Sequence, residues 1–414
     1  MPQLNLDLVR SHFPALAGEW TFMDNAGGSQ TLKTVVDRIS EYLLTSDVQH
    51  GASYHTSQLA GQRVAEATQA MATFINAPDP SELVMGGSTT LLLRILSISL
   101  GKKFQPGDEI IVSNSDHEAN VSPWMDLQEQ GIKVRVWEVN PETLRFELDD
   151  LTKLMNERTR LVAITHTSNI LGTLNPVKEI AEFVHRQNAL ICVDGVAHAP
   201  HRLVDVQDLG VDFYVFSYYK VYGPHYAIMW GKRDLLVNLP GINHYFITGE
   251  NIPYKFQPGN VNFEFCYGML GLVDYIEDVY EKHPALHAVG DDLRTKMVKV
   301  FALFSDHEVA LGEKLLAFLR HKEGVRIIGE SSSDPDKRVP TISFVKEGIK
   351  SDEIVRQVDE HKIGIRFGDF YAKKLIQSLG LEAQNGVIRV SLVHYNSLEE
   401  VDHLIAVLDP ILSA

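Results

Sequence analysis

Four apolar runs in this sequence end on residues that could do chemistry. EIIVSN (109–114) leads into Asp116 and His117, and LVAITHTS (161–168) into Asn169. ALICV (189–193) leads into Asp194, and DFYVF (212–216) into Ser217 and Lys220. Together these ends offer an imidazole, an amide, a carboxylate and an amine. The lysine is the oddest of them. In VFSYYKVYGPH (215–225) it directly follows Tyr218 and Tyr219, and a half-buried strand end between aromatics is a poor place for an ammonium. Such surroundings disfavour the charged form, so the free amine becomes available as a nucleophile. Each residue taken singly has a plainer account: an Asp before Gly makes turns, and an Asn caps them. Their recurrence at successive run ends is what points to a site, because ligands of open α/β sheets bind beyond the carboxyl ends of the strands.

The elements that must position these residues follow from the pattern. A strand breaks into a Gly-rich turn in TFMDNAGGSQ (21–30), and helical periodicity follows over 32–44 and 57–75. ELVMGGSTTLLLRILSISL (82–100) reads as strand, Gly-Gly turn and helix. From residue 109 to 231, apolar runs alternate with helical segments, which implies βαβ units and a mostly parallel sheet covered on both faces. From about Leu286 to Leu319 the pattern is long and helical. VPTISFVKEG and GVIRVSLVHY then read as strands of a smaller α+β unit closed by the helix LEEVDHLIAVL. The expected division is a large domain over 20–280 and a small one built from 1–19 and 281–414.

Composition narrows the function. With 54 acidic against 38 basic residues the net charge is −16, which argues against a phosphate-backbone partner. The two cysteines, Cys192 and Cys266, form no metal or disulfide spacing. The N-terminal segment lacks the apolar core of a signal peptide, and no apolar run reaches the length of a membrane span. The expectation is a cytoplasmic enzyme with no metal, nucleic-acid or membrane partner.

One cofactor calls for this set of groups. Pyridoxal 5'-phosphate needs a lysine for its Schiff base, a carboxylate opposite its ring nitrogen and a cradle for its phosphate. Lys220 and Asp194 supply the first two. GGSTT (86–90) opens a helix, whose N-terminal amides favour phosphate, with Ser88, Thr89 and Ser217 as hydroxyl partners.

These residues resemble a class V, fold-type I pyridoxal-phosphate enzyme of the cysteine desulfurase and selenocysteine lyase type, over nearly the whole chain. SDHEANVSPW resembles the segment whose histidine stacks on the cofactor ring, which implies His117 in that role. HTSNILGTLNPVKEI resembles the segment whose Asn bonds the cofactor phenol oxygen, implying Asn169. VDGVAHAPHRLVDVQDLGVDFYVFSYYKVYGP resembles the stretch carrying the ring-nitrogen Asp and the Schiff-base Lys. GVIRVSLVHYNSLEEVD resembles the segment whose Arg pairs the substrate carboxylate, implying Arg389, with Ala26 and Tyr371 as further substrate contacts. A homodimer is also implied, with Asn260 and the DVQHGASYHTS loop (47–57) reaching the neighbour's site.

The sequence departs from that family at telling places. Ala197 stands where desulfurases carry Gln, Tyr219 where they carry His, and Asn260 where they carry Thr. IRFGDFYAKKL matches the loop that bears the sulfur-accepting cysteine, and places Tyr371 at that position. A phenol cannot carry a persulfide. The expected activity is therefore C–S β-elimination from an amino acid, with Lys220, His117, Asp194 and Tyr219 catalytic and no persulfide transfer. Transamination or epimerisation would use the same parts. A catalytically degenerate cofactor-binding protein is the reading from another class.

Overall fold

The computed structural model describes residues 3–413. Its strands in chain order are β1 (Thr21–Phe22), β2 (Leu83–Gly86), β3 (Glu109–Ser113), β4 (Lys133–Trp137), β5 (Thr159–Thr165), β6 (Leu190–Asp194), β7 (Phe213–Ser217), β8 (Ala227–Gly231), β9 (Val325–Ile328), β10 (Thr341–Lys346), β11 (Ile363–Gly364), β12 (Arg366–Gly368) and β13 (Val387–Ser391). A seven-stranded sheet has the order β2-β8-β7-β6-β5-β3-β4. The pairings from β7 to β4 are parallel, and β8 runs antiparallel to both of its neighbours. Strands β3, β7 and β8 are buried along their whole length, which is why they read as unbroken apolar runs. Successive residues of β5 to β7 feed opposite faces. Val162, Ile164, Ile191, Val193, Tyr214 and Phe216 join one core, and Leu161, Ala163, Cys192, Phe213 and Val215 the other.

Four helices precede or flank the first strands: α1 (Leu6–Ser11), α2 (Lys33–Thr45), α3 (His55–Ile75) and α4 (Thr89–Gly101). The expected long helix begins at Leu293, because Asp292 caps it by accepting from the Thr295 N–H at 2.8 Å. It and the last helix, Leu398–Ser413, pack Leu311, Leu315, Leu404 and Leu408 on a second, four-stranded antiparallel sheet of order β12-β13-β10-β9. The fold is α/β, a large mostly parallel sheet with a smaller α+β region. Strands β9, β11 and β12 were not anticipated; they are two to four residues long and too short for an alternation to show.

Two connections matter for the site. Strand β1 pairs in parallel with β11, and Asp24 bridges to Ser391 at the end of β13. Five residues on, the Ser29 N–H donates to the Tyr219 carbonyl at 3.2 Å, so the N-terminal segment ties the small sheet to the turn that carries Lys220. In α1, Val9 packs into the large-sheet core while Arg10 donates to Glu400 at 2.8 Å. Among the described residues no helix is long and apolar enough to cross a membrane.

Candidate active site

A cavity opens at the carboxyl ends of β5, β6 and β7. Ser88, Thr89, His117, Asn169, Asp194, Ser217, Tyr219 and Lys220 all line it, with Ala197 among them. The sheet accounts for this convergence: parallel neighbours deliver their ends to one edge.

Lys220 closes a short 3-10 turn, Tyr218–Lys220, directly after β7. The turn is pinned by the Tyr218 N–H on the Tyr226 carbonyl and by the Gly223 N–H on the Tyr218 carbonyl. Tyr222 completes it in the left-handed region, at φ +66°. That conformation is unusual for a bulky side chain, and the hydroxyl holds it by donating to the Pro200 carbonyl at 2.9 Å. Burial pushes the Lys220 amine down to about 8, helped by the nearby Arg389 charge and opposed by Asp194 and Asp24. Tyr219 lies flat on His225, with ring centroids 4.7 Å apart.

Asp194 ends β6, and its Oδ1 accepts from the Val196 N–H at 2.9 Å. Burial pushes its carboxyl up to about 6 against that bond and the Lys220 charge. Gly195 must lack a side chain, since a Cβ there would come within 2.2 Å of the Tyr214 ring. His117 caps a turn by accepting from the Ala119 N–H on Nδ1 at 3.0 Å. Burial, with Lys220 and Arg389 adding to it, pushes the imidazole down to about 4. The ring is thus neutral near pH 7, with its proton on Nε2. Behind it, Asp116 is buried and anchors the loop through Ser113, Asn120 and the Thr165 N–H.

At the amino end of α4, the Ser88 hydroxyl accepts from the Leu91 N–H at 3.1 Å, and Thr89 and Ser217 share a hydrogen bond at 2.7 Å. First-turn amides and hydroxyls therefore face one corner of the cavity, a setting suited to an anion.

Next to this cavity, outside its lining, lies a cluster that belongs to the small sheet. Arg389 on β13 is buried; its Nη2 donates to Asp24 at 2.7 Å and its Nη1 to the Asn169 carbonyl at 3.1 Å. Phe370 lies over the guanidinium, its ring centroid 3.7 Å from the central carbon. The Phe370 carbonyl accepts from Asn169 Nδ2 at 2.9 Å. Tyr371 is 68% exposed and leans its ring over His117 at 5.2 Å. Two buried atoms here lack partners among the described residues: Asn169 Oδ1 and Arg389 Nε. Sequence reasoning passed over Asp24 and Arg366, and reached Phe370 only as part of the altered loop 369–371 that implies a reshaped pocket. Asp24 had a faint signal, a charge just before a Gly-Gly turn.

Four expected residues are not among those that line the cavity: Arg389 and Tyr371 in the neighbouring cluster, and Ala26 and Asn260. Ala26 is beside it, its N–H donating to the Ser391 hydroxyl at 2.8 Å. Asn260 is on another concave surface, where its Nδ2 donates to Gln49 at 3.1 Å. Neither thiol reaches the cavity wall. Cys192 is sealed inside β6, and Cys266 sits in the buried helix Phe263–Gly268 against Met85. Burial raises both, the second to about 12.

Pyridoxal phosphate fits these groups. It asks for an amine, a carboxylate at its ring nitrogen and donors for its phosphate; Lys220, Asp194 and the α4 amino end supply them around one cavity. Fold and cavity together define a fold-type I, pyridoxal-phosphate-dependent enzyme. The chain belongs to the aminotransferase class-V family, which its residues 21–404 match. It is 40% identical to the aminotransferase-like protein FGM3 of Gibberella zeae, over 99% of this chain and 98% of that protein. It is 33% identical to the cysteine desulfurase-like protein ustD of Aspergillus flavus, over 99% and 91% of the two chains. A cysteine desulfurase from Thermococcus onnurineus superposes with a TM-score of 0.86 at 26% identity, over 100% of this chain and 99% of that one.

Proposed function

We propose that this enzyme cleaves a C–S bond of an amino acid by β-elimination and does not pass the sulfur on as a protein persulfide. The observation that carries this reading is the side chain at the loop tip. Tyr371 stands over His117, and both thiols are packed in the core. A persulfide carrier needs a thiolate that can reach the substrate and then swing outward. A phenol on the loop, and thiols held in β6 and in a buried helix, meet neither need.

When bound, pyridoxal phosphate supplies the electron sink for the pair left at Cα. The chain's own groups do the rest. Lys220, with its amine near 8, holds the cofactor aldehyde and then moves the proton at the substrate Cα. Asp194, which lines the cavity, would hold a proton on the ring nitrogen of the bound cofactor. His117 presents a neutral ring face, and its Nε2–H can donate to the sulfur as it leaves Cβ. Ser88, Thr89, Ser217 and the α4 amides receive the phosphate. Tyr219 walls the cavity beside the lysine, and Arg389 takes the substrate carboxylate.

The same reading includes a homodimer. Asn260 and Gln49, from the two segments that the resemblance sends into a neighbour's site, are hydrogen-bonded on one concave surface of this chain. Light scattering of the holoenzyme at micromolar concentration tests it: a fully active monomer sinks the dimer. The reaction is tested by incubating the holoenzyme with individual amino acids and scoring pyruvate, sulfide, keto acid and racemised substrate separately. Pyruvate and sulfide together support elimination. Keto acid without sulfide, or racemised substrate alone, replaces it with transamination or epimerisation.

A further inference from the structure

Arg389 faces two incompatible demands. A fully buried guanidinium without a counter-ion is costly, so it needs a resident anion when no substrate is bound. A substrate carboxylate needs that same guanidinium free. The resident anion is Asp24, whose Oδ1 lies 2.7 Å from Arg389 Nη2. Its other oxygen, Oδ2, lies 3.6 Å from Arg366 Nη1. Arg366 and Arg389 are directly opposed across the antiparallel β12–β13 pair, so both side chains leave the same face of the sheet. Like charges in that arrangement repel, and Asp24 lies between them as a shared counter-ion. The three side chains grade outward: Arg389 is 2% exposed, Asp24 29% and Arg366 59%. Gly27 borders Asp24 Oδ2, and a Cβ on that glycine would come within 2.6 Å of it, so the carboxylate keeps its place between the two arginines only beside a glycine. Arg389 Nε, buried and unpartnered, marks the guanidinium as incompletely satisfied by its resting contacts.

We propose that Asp24 is a stand-in for the substrate carboxylate, and that Arg366 receives it when an amino acid binds Arg389. Asp24 and Arg366 are then positioning residues that set substrate affinity and leave the chemistry at Cα and Cβ untouched. The idea rests on the amino-acid reading given above. It predicts a linkage: without Arg366, Asp24 stays on Arg389 and competes with substrate, so the competent fraction and the apparent affinity fall together.

The test is a double-mutant cycle on holoenzyme with Arg366→Gln, Asp24→Asn and the pair. Amino-acid binding is read from the shift of the cofactor absorbance band, and KM and kcat from product release. Arg366→Gln is expected to raise KM and the spectroscopic Kd about tenfold at unchanged kcat. Adding Asp24→Asn to it is expected to return both to within about threefold of wild type. Arg366 is the most exposed of the three, so its variant folds, and a retained cofactor band verifies that. An unchanged KM in Arg366→Gln, or a pair no better than Arg366→Gln alone, overturns the hand-over. A wild-type band that no amino acid shifts overturns the amino-acid reading itself, and the hand-over with it.

Discussion

Two parts of the site are built differently: the sheet wall that lines the cavity, and a loop wall that stands beside the cavity without lining it. The sheet wall, with Lys220, Asp194, Asn169, Ser217 and the α4 end, consists of strand termini whose neighbours are fixed by pairing. The loop wall, Gly368–Tyr371 with Arg389 and Asp24, is held by contacts between distant parts of the chain. Asp24 and Arg389 are 365 residues apart. Three of the four loop residues have positive φ: Gly368 at +134°, Phe370 at +49° and Tyr371 at +60°. Two consecutive non-glycine residues in the left-handed region are strained, and such strain persists only where the surroundings hold it. Here the Asn169 amide on the Phe370 carbonyl and the Glu118 N–H on the Tyr371 carbonyl do so. The contrast suggests a division of labour, a rigid wall for the cofactor and an adjustable one for substrate.

Substitutions in the two walls should therefore fail in different ways. The largest effect is expected from Lys220→Ala: no cofactor fixed to protein by borohydride, and turnover down ~10³-fold or more. Normal rates in that variant remove Lys220 from its place. Asp194→Asn comes next. It should keep bound cofactor, seen in the absorbance spectrum, yet lose about 10²-fold in kcat, since an amide cannot hold the ring-nitrogen proton. The same wall makes a pH prediction. With Lys220 near 8 instead of 10.5, its free-amine fraction, and the rate at which the apoprotein takes up cofactor, should rise about tenfold from pH 7 to 9 and then level off. A rate still climbing at pH 10 would mean that burial does not depress this amine.

On the loop wall the changes should be smaller and fall on binding. Phe370→Ala removes the ring over Arg389, and a several-fold rise in KM with little change in kcat is expected. A loss confined to kcat would mean that the loop takes part in the chemistry. The smallest effect belongs to neither wall: Cys266→Ser should leave turnover within about twofold, because its thiol is packed against Met85.

The same contrast explains what was legible in the sequence. Lys220 and Asp194 stand at the ends of apolar runs, and the parallel sheet converts that sequence position into spatial proximity. His117 and Asn169 were visible for the same reason. Arg389 was reached only through a family resemblance, since β13 reads as any apolar strand with one charge. Arg366 gave no signal, and Phe370 showed only as a departure from the family's loop, not as a contact of Arg389. Strand β12 is three residues long, and a left-handed Phe-Tyr pair runs against local preference. Asn260 was likewise reached only through the resemblance, and it lies on a separate concave surface, bonded to Gln49.

A cofactor-dependent lyase without a sulfur carrier, as proposed above, should release all the sulfur of radiolabelled L-cysteine. Holoenzyme is incubated with cysteine labelled at sulfur and then analysed under non-reducing conditions, wild type beside Cys266→Ser. The account predicts label released as sulfide, in step with pyruvate, and none retained on the protein. Label bound to wild type, removed by reductant and absent from Cys266→Ser, would contradict it and make Cys266 the sulfur acceptor.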